Sequence, residues 1–594
     1  MAAAEQWRRA AWHRPDESIH PVLTAEEIER ARRFGSPRRY AQGERLFELG
    51  KPSPGLILLL SGRVEISSRD RMGRVVPVAV FGPGQFVGEL AQLSDSPALV
   101  DGDAKEDVEA LVIPAERLRA LIVAEAELGA RIQRAFGLRR VKLIAHGYGG
   151  PTLIGTSGSI DLVRIQTFLT RNAHPHHLLD PLHDEAAAAV IDHYAPAANE
   201  LPLVLFADGS VLRNPLENDL AQRLGMVRAV PRKTLYDVAV VGGGPAGLAT
   251  AVYAASEGLS VVVLDRSAFG GQAGASMRIE NYLGFAEGIS GLELAGRAYA
   301  QAQKFGVEFL IPVPVNELEC LPDDSFALLL DGGERVRTRS VVVATGARYR
   351  RPEIPNLGAF EGRGVWYWAS PIEARLCAGK EVIIVGGGNS AGQAAVFLAE
   401  HAARVRIMIR GKCLAATMSR YLIDRIEAAR NIEVMSRTEI VGLEGDPQVG
   451  LERVRWREAA TGVDCQAAIG NVFVFVGAEP ATSWLSSCGV EVDRTGFVIT
   501  GAAPGRRPLE SSVAGVFAVG DVRARSVKRV GGAIGEGAQV VASLHDYLAQ
   551  AQERSEVSSA TCPFCHTIVP AAFDREVLCP SCGRAFRGGR RACA

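Results

Sequence analysis

Three sets of residues in this 594-residue chain have types and spacings suited to chemistry. Gly242, Gly244 and Gly247 follow the pattern G-x-G-x-x-G, and Asp265 lies farther on. In such a pattern the first glycine permits a tight turn and the second lets backbone N–H groups approach a diphosphate. The third lets helix and strand pack closely, and the acid can accept from ribose hydroxyls. Gly386, Gly388 and Ala391 repeat the pattern. The third set is Cys562, Cys565, Cys579 and Cys582, spaced C-x2-C-x13-C-x2-C. Four thiolates so spaced can close a tetrahedral zinc site; the other reading is two redox dithiols.

The glycines need a βαβ unit to position them. An apolar run from Val238 to Val241 enters the first turn, a helix-period segment follows, and a second run from Val261 to Leu264 ends on Asp265. The segment EVIIVGGGNSAGQAAVFLAEHAARVRIMIR is built the same way. Laying Gly242 on Gly386 puts Asp265 on Ile409 and Arg266 on Arg410. The second unit therefore lacks the ribose-binding acid and has Arg410, Lys412 and Arg420 nearby. A carboxylate would repel a 2′-phosphate, whereas cations could bind one, so NADPH is favoured and NADH is the alternative. Cations that merely solvate the surface are the competing explanation.

Length implies several domains. A net charge of −1 gives no electrostatic case for nucleic acid or an anionic membrane. The N-terminal stretch has no apolar signal core and no run approaches a membrane-spanning length, so a soluble cytoplasmic protein is expected. Four of the ten cysteines form two C-x-x-C pairs near the end, which in a reducing compartment suggests metal or redox chemistry rather than a structural disulfide framework. Cys320, Cys413, Cys465 and Cys488 are dispersed and read as buried small hydrophobes.

From about Arg38 to Ile113, strand-length apolar pieces alternate with glycine turns, which indicates an all-β roll. With GERLFELG and GQFVGELAQLSDSPALV this region, 20–140, resembles a cyclic-nucleotide-binding domain. The resemblance implies that Glu89 contacts the ribose, but Ala98 follows Pro97 where the family has a phosphate-gripping arginine. A structural or dimerising role competes with cyclic-nucleotide binding. Pro114 to Arg140 has helical spacing, read either as a helix closing the roll or as the dimerisation helix of a homodimer.

Region 150–228 alternates helix and strand, and with Pro202 ahead of LVLF it resembles a thioredoxin or glutaredoxin fold, in which that proline is cis. Where the family carries C-x-x-C this chain reads GTSGSID, so thiol exchange is not expected there. His174, His176, His177, His183 and His193 lack a convincing ligand spacing and read as surface histidines.

The segments GGQ, IENYLGF, VVVATGARYRRPEIPNLG and GVFAVGDV, in order around the two glycine units, resemble the thioredoxin reductase branch of two-dinucleotide flavoproteins. The resemblance implies two Rossmann-like three-layer α/β domains, a discontinuous FAD domain (234–351 and 472–550) and an NAD(P) domain (352–471), with a hinge between them. It assigns FAD to Gly242, Gly244, Gly247, Asp265, Gly271, Gln272, Asn281, Thr345, Gly346 and Asp521, with Arg529 and Val530 near the flavin. NADPH falls to Gly386, Gly388, Ala391, Arg410 and Lys412. The branch's C-x-x-C is replaced by Trp368-Ala369-Ser370-Pro371, and Cys377 is a single thiol along the next helix. After a polar linker, AQERSEVSSA, a zinc ribbon (560–588) is expected. The implied activity is an FAD-dependent NADPH oxidoreductase passing hydride to FAD and on to an external acceptor: a quinone, a ferredoxin-like protein, oxygen or a disulfide. A redox or nucleotide sensor without turnover, and a disulfide reductase using the tail cysteines, are the alternatives. No residue is assigned as a catalytic acid or base.

Overall fold

The computed structural model describes residues 19–587 apart from 70–73, 89–97, 147–149, 158, 207, 227–234, 277, 448, 460, 502–504, 558–559 and 570–575. Two four-stranded antiparallel sheets face each other at the front. One runs Ser36–Tyr40, Val108–Ile113, Leu56–Ser61, Phe86–Val87; the other Arg45–Phe47, Asp101–Ala104, Val64–Arg69, Val75–Phe81. Their inward residues, among them Leu59, Val64, Phe81 and Val108, form one buried cluster. The segment 114–140 is two helices rather than one: Ala115–Ala124 and Ala126–His146 meet at Glu125, whose φ of −112° and ψ of 78° leave the helical region. Gly129 lets them turn tightly, because a Cβ there would lie 2.6 Å from the Ile122 carbonyl oxygen.

A small mixed sheet follows, His177–Leu179, Thr152–Ile154, Leu203–Leu205, Val211–Arg213. The helix Ile160–Arg171 covers it through Leu162, Ile165 and Leu169, which pack on Leu153 and Val204. The Leu201–Pro202 bond is cis. Asp184 caps the helix Glu185–Tyr194 by accepting from the amides of Ala186 and Ala187.

The largest sheet has Tyr236–Val241 between two parallel neighbours, in register Val238 to Val261 on one side and Val240 to Val342 on the other. Strand Val516–Ala518, from far along the chain, adds in parallel to Arg335–Val343. The sheet is therefore built from two separated stretches of sequence. Apolar runs such as VVVL are buried throughout, as strands covered on both faces must be. The helices Pro245–Ser256 and Val530–Val557 pack on one face around Val240, Ala251 and Val540. Segment 551–557, which sequence reads as linker, continues this last helix, since it holds neither proline nor glycine to stop it.

Inserted between those stretches is a second sheet, parallel throughout, Val365–Trp366, Val472–Val474, Glu381–Val385, Arg404–Ile409, Ile432–Ser436. A three-stranded antiparallel sheet lies beside it, Thr438–Asp446, Gly450–Glu458, Asp464–Ala467. The chain crosses between units at the antiparallel pair Ala347–Tyr349 and Ala478–Pro480. No helix among the described residues is long and apolar enough to cross a membrane.

The dispersed cysteines depart from the sequence reading. Cys320 and Cys488 form a disulfide, and Cys413 is exposed. The distance along the chain hid a proximity that only the returning stretch creates.

Candidate functional site

The first glycine turn is shaped by contacts that exclude a side chain. Gly242 has φ +115°, and a Cβ on it would lie 2.2 Å from the Ala344 carbonyl oxygen. A Cβ on Gly247 would lie 1.9 Å from the Gly242 carbonyl oxygen. Gly244 differs: it is the N-cap of Pro245–Ser256 with no side-chain cap, and a Cβ would meet nothing closer than 3.8 Å. The helix thus starts with uncapped amides above a smooth backbone, which fits a diphosphate. Asp265 organises the rim, its Oδ2 accepting from the Gly243 amide at 2.8 Å and its Oδ1 from the Ser267 and Ala268 amides.

The rest of the set falls around this turn in part. Gly271, at φ +54°, packs on Gly244, and the Gly270 amide donates to the Gly243 carbonyl at 2.7 Å. The Gln272 amide donates to the Ala347 carbonyl, and the Thr345 hydroxyl donates to the Ala481 carbonyl at 3.0 Å, so both brace the crossing strands. Gly346 has φ +64°, and Asn281 is exposed. Asp521 sits in the turn Gly520–Val522, where burial pushes its carboxyl up against the opposing pull of Lys528. Arg529 is exposed and Val530 opens the final helix. Sequence reasoning missed Glu536, one helical face away, which accepts from the Gly520 amide at 2.7 Å and pairs with Arg523. Its signal was weak, a single acid in a glycine-rich helix.

The second turn has the same form. Gly386 has φ +136°, its Cβ position is 2.4 Å from the Phe475 carbonyl oxygen, and Ala391 is fully buried. Gly388 is an uncapped N-cap with open space around its Cβ position. Ile409 is buried at the strand end. Arg410 and Lys412 are exposed and, among the described residues, have no ion-pair partner, whereas Arg420 is engaged by Asp424 at 2.7 Å. An ion pair, Arg425 to Glu280 at 2.5 Å, bridges the two units.

The segment Trp368 to Pro371 is closed by Glu373. This buried carboxylate accepts from the Trp368 indole at 3.0 Å, from the Ser370 amide at 2.9 Å and from the Ser370 hydroxyl. Cys377 lies just past the helix Pro371–Leu376 and is buried, which pushes its thiol up to about 12. It is therefore a poor nucleophile at neutral pH.

In the tail, one sulfur from each of the four cysteines lies within 4.8 Å of the others. Cys562 and Cys582 are 3.7 Å apart, and Cys565 and Cys579 are 3.5 Å apart. A tetrahedron of ~2.3 Å zinc–sulfur bonds has edges of about 3.8 Å, so the set fits such an ion. The first pair lies in a knuckle turn, His566 N–H to the Cys562 carbonyl, and the second repeats it, Gly583 N–H to the Cys579 carbonyl.

In the roll, Glu89 and Pro97 lie outside the described residues, and Ala98 is buried. A cavity there is lined by apolar side chains including Phe47, Val78, Phe81 and Leu99, with Arg139 in its wall. That guanidinium already donates to the carbonyls of Ile19, Phe86 and Gly88. The histidines form no metal cluster among the described residues. His174 is buried rather than at the surface, because the chain folds back after the helix Ile160–Arg171, the His174 amide donating to the Leu169 carbonyl at 2.8 Å.

Residues 236–537 match the family described as Pyridine nucleotide-disulphide oxidoreductase, and residues 37–125 match the Cyclic nucleotide-binding domain. The chain is similar to the thioredoxin reductase of Bacillus subtilis, 30% identical over 320 residues, covering 54% of this chain and 96% of the relative. It is also similar to the thioredoxin reductase of Treponema pallidum, 33% identical over 317 residues, covering 53% of this chain and 98% of the relative. Among solved structures, Lactococcus lactis thioredoxin reductase in its FR conformation is 29% identical, with a TM-score of 0.49, covering 53% of this chain and 99% of that one.

Proposed function

The chain belongs to the pyridine nucleotide-disulphide oxidoreductase family and is an FAD-dependent NAD(P)H oxidoreductase, and from that premise we propose that it uses NADPH and delivers electrons to an acceptor outside the chain. The observation that carries this is the pair of open helix N-termini at Gly244 and Gly388, each following a strand with parallel neighbours in a separate sheet, of which only the first has an acid at its second strand end. Gly242, Gly244, Gly247, Asp265, Gly271 and Asp521 would hold FAD, with Gln272, Asn281, Thr345, Gly346, Arg529 and Val530 around it. Gly386, Gly388 and Ala391 would hold the nicotinamide dinucleotide, and Arg410 and Lys412 its 2′-phosphate. FAD, when bound, supplies hydride acceptance and onward electron transfer.

The protein's own part is orientation. The crossing strands Ala347–Tyr349 and Ala478–Pro480 join the two units and would be the hinge through which one turn is brought toward the other. Trp368 to Pro371 has no thiol, and Cys377 is held protonated, so no thiol in that stretch relays electrons. Because relatives carry the name thioredoxin reductase, an external disulfide is the first acceptor to offer, followed by a quinone, a ferredoxin-like protein and oxygen.

The remaining units complete the reading. Residues 150–228 are a thioredoxin-like unit without thiols, supported by the mixed sheet and the cis Pro202 bond. Residues 560–588 are a zinc ribbon, supported by the sulfur spacing. The test is anaerobic stopped-flow absorbance with NADPH and, separately, NADH, followed by acceptors, with zinc analysis of the same preparation. Loss of the flavin colour with NADPH, its return with an acceptor, and a stoichiometric content of zinc are expected. A flavin that neither nucleotide reduces would sink the enzymatic reading.

A further inference from the structure

Arg171 ends the helix Ile160–Arg171, and its side chain leaves its own sheet for the loop that packs on the first glycine turn. Its Nη2 donates to the Gly271 carbonyl at 2.9 Å. Next to it, the Asn172 amide donates to the Ser267 carbonyl at 3.1 Å. Ala173 packs against the cluster of Phe269, Ala295 and Ile311. One helix end is thereby seated along the loop from Ser267 to Gly271. That loop is itself in contact with the turn, since a Cβ on Gly271 would lie 3.0 Å from the Gly244 Cα.

A guanidinium is more than this docking requires. An uncharged amide could donate to the Gly271 carbonyl without the cost of desolvating a cation. Arg171 is partly buried, and its buried Nε has no partner. Burial lowers its pKa, and the charge of Asp265 opposes that shift. Asp265 is the nearby anion, but its two oxygens already accept from the Gly243, Ser267 and Ala268 amides. A second anion beside Gly244 and Gly271 would match the charge, and the helix N-terminus at Gly244 is built for one.

We propose that Arg171 supplies a positive charge to the diphosphate of the dinucleotide held at the Gly242–Gly247 turn, so that the thiol-free unit of residues 150–228 completes the FAD site. The inference rests on the FAD assignment made above. It gives that unit a function its missing C-x-x-C does not provide, and it makes FAD occupancy and the docking of that unit mutually reinforcing.

The experiment titrates FAD into the full-length apo-protein, following quenching of flavin fluorescence, for wild type, Arg171→Lys, Arg171→Gln and Asn172→Ala. Gln can keep a hydrogen bond to Gly271 but carries no charge, and Lys keeps the charge. Arg171→Gln should raise the FAD Kd about ten-fold or more, Arg171→Lys by clearly less, and salt should weaken wild-type binding more than binding by the Gln variant. Melting of the apo-proteins separates charge from folding, and the Gln variant should melt with wild type. Equal FAD affinity in wild type and Arg171→Gln, or Lys no better than Gln, would overturn the inference while leaving the FAD assignment intact. Asn172→Ala weakening FAD as much as Arg171→Gln would also overturn it, by making docking alone responsible. Wild type that takes up no FAD would overturn the FAD assignment and the inference together.

Discussion

Cys320 and Cys488 are joined across 168 residues, with their Cα atoms 6.0 Å apart. Cys320 ends the strand Val315–Cys320 and Cys488 ends the short helix Ser483–Cys488, so the bond fastens the two separated stretches of the unit built on the largest sheet. The loop it closes contains the whole second dinucleotide unit. A cross-link closing so long a loop removes much unfolded-state entropy, typically worth about 2–4 kcal/mol. Reductant should therefore lower the melting temperature of the wild type by several degrees. Cys488→Ser should melt at that lower temperature and no longer respond to reductant. Alkylation of the unreduced, denatured chain should leave these two cysteines unmodified; finding both alkylated would show the bond absent.

Gly242 and Gly244 stand two residues apart and should fail differently. Alanine at Gly242 meets both a left-handed φ and the Ala344 carbonyl oxygen at 2.2 Å, so Gly242→Ala should destabilise the fold by several kcal/mol. Alanine at Gly244 has an ordinary backbone and room around it. Its methyl would stand on the surface that the diphosphate of the proposed FAD site approaches. Gly244→Ala should keep the apo-protein's melting temperature within about 1 °C and raise the FAD Kd at least about ten-fold. Thermal melts of the two apo-proteins beside flavin-fluorescence titrations check this, and a Gly244→Ala protein with wild-type FAD affinity would contradict it.

What could be read in the sequence follows from how locally each feature is determined. Gly242 and Gly386 were legible because a positive φ and a backbone contact dictate the residue type, whatever packs around them. Strands such as VVVL were legible because a doubly covered strand must be apolar throughout. The Cys320–Cys488 bond was not, since its partners meet only after an entire inserted unit has been traversed. Arg171 was not, because its contact with Gly271 arises from docking between units, and a lone arginine at a helix end carries no signal of its own. The helical course of 551–557 was hidden by polar composition, although nothing in it breaks a helix.

On the NADPH reading proposed above, Ile409, Arg410 and Lys412 together would set nicotinamide selectivity. Ile409 is buried at the strand end where the first unit has Asp265, so no carboxylate stands there to meet a ribose. Arg410 and Lys412 are exposed, and among the described residues no carboxylate neutralises them, while the nearby Arg420 is held by Asp424. A 2′-phosphate would meet two available cations, each a charge-assisted contact of modest strength because water also reaches it. Replacing both with alanine should raise the KM for NADPH about ten-fold while moving the KM for NADH less than about two-fold. Ile409→Asp would add repulsion toward the 2′-phosphate and an acceptor for the 2′-hydroxyl, favouring NADH further. Steady-state kinetics with both nucleotides and a common acceptor separates the effects. Equal losses for NADPH and NADH in the double-alanine variant would mean that these cations support the turn without reading the phosphate.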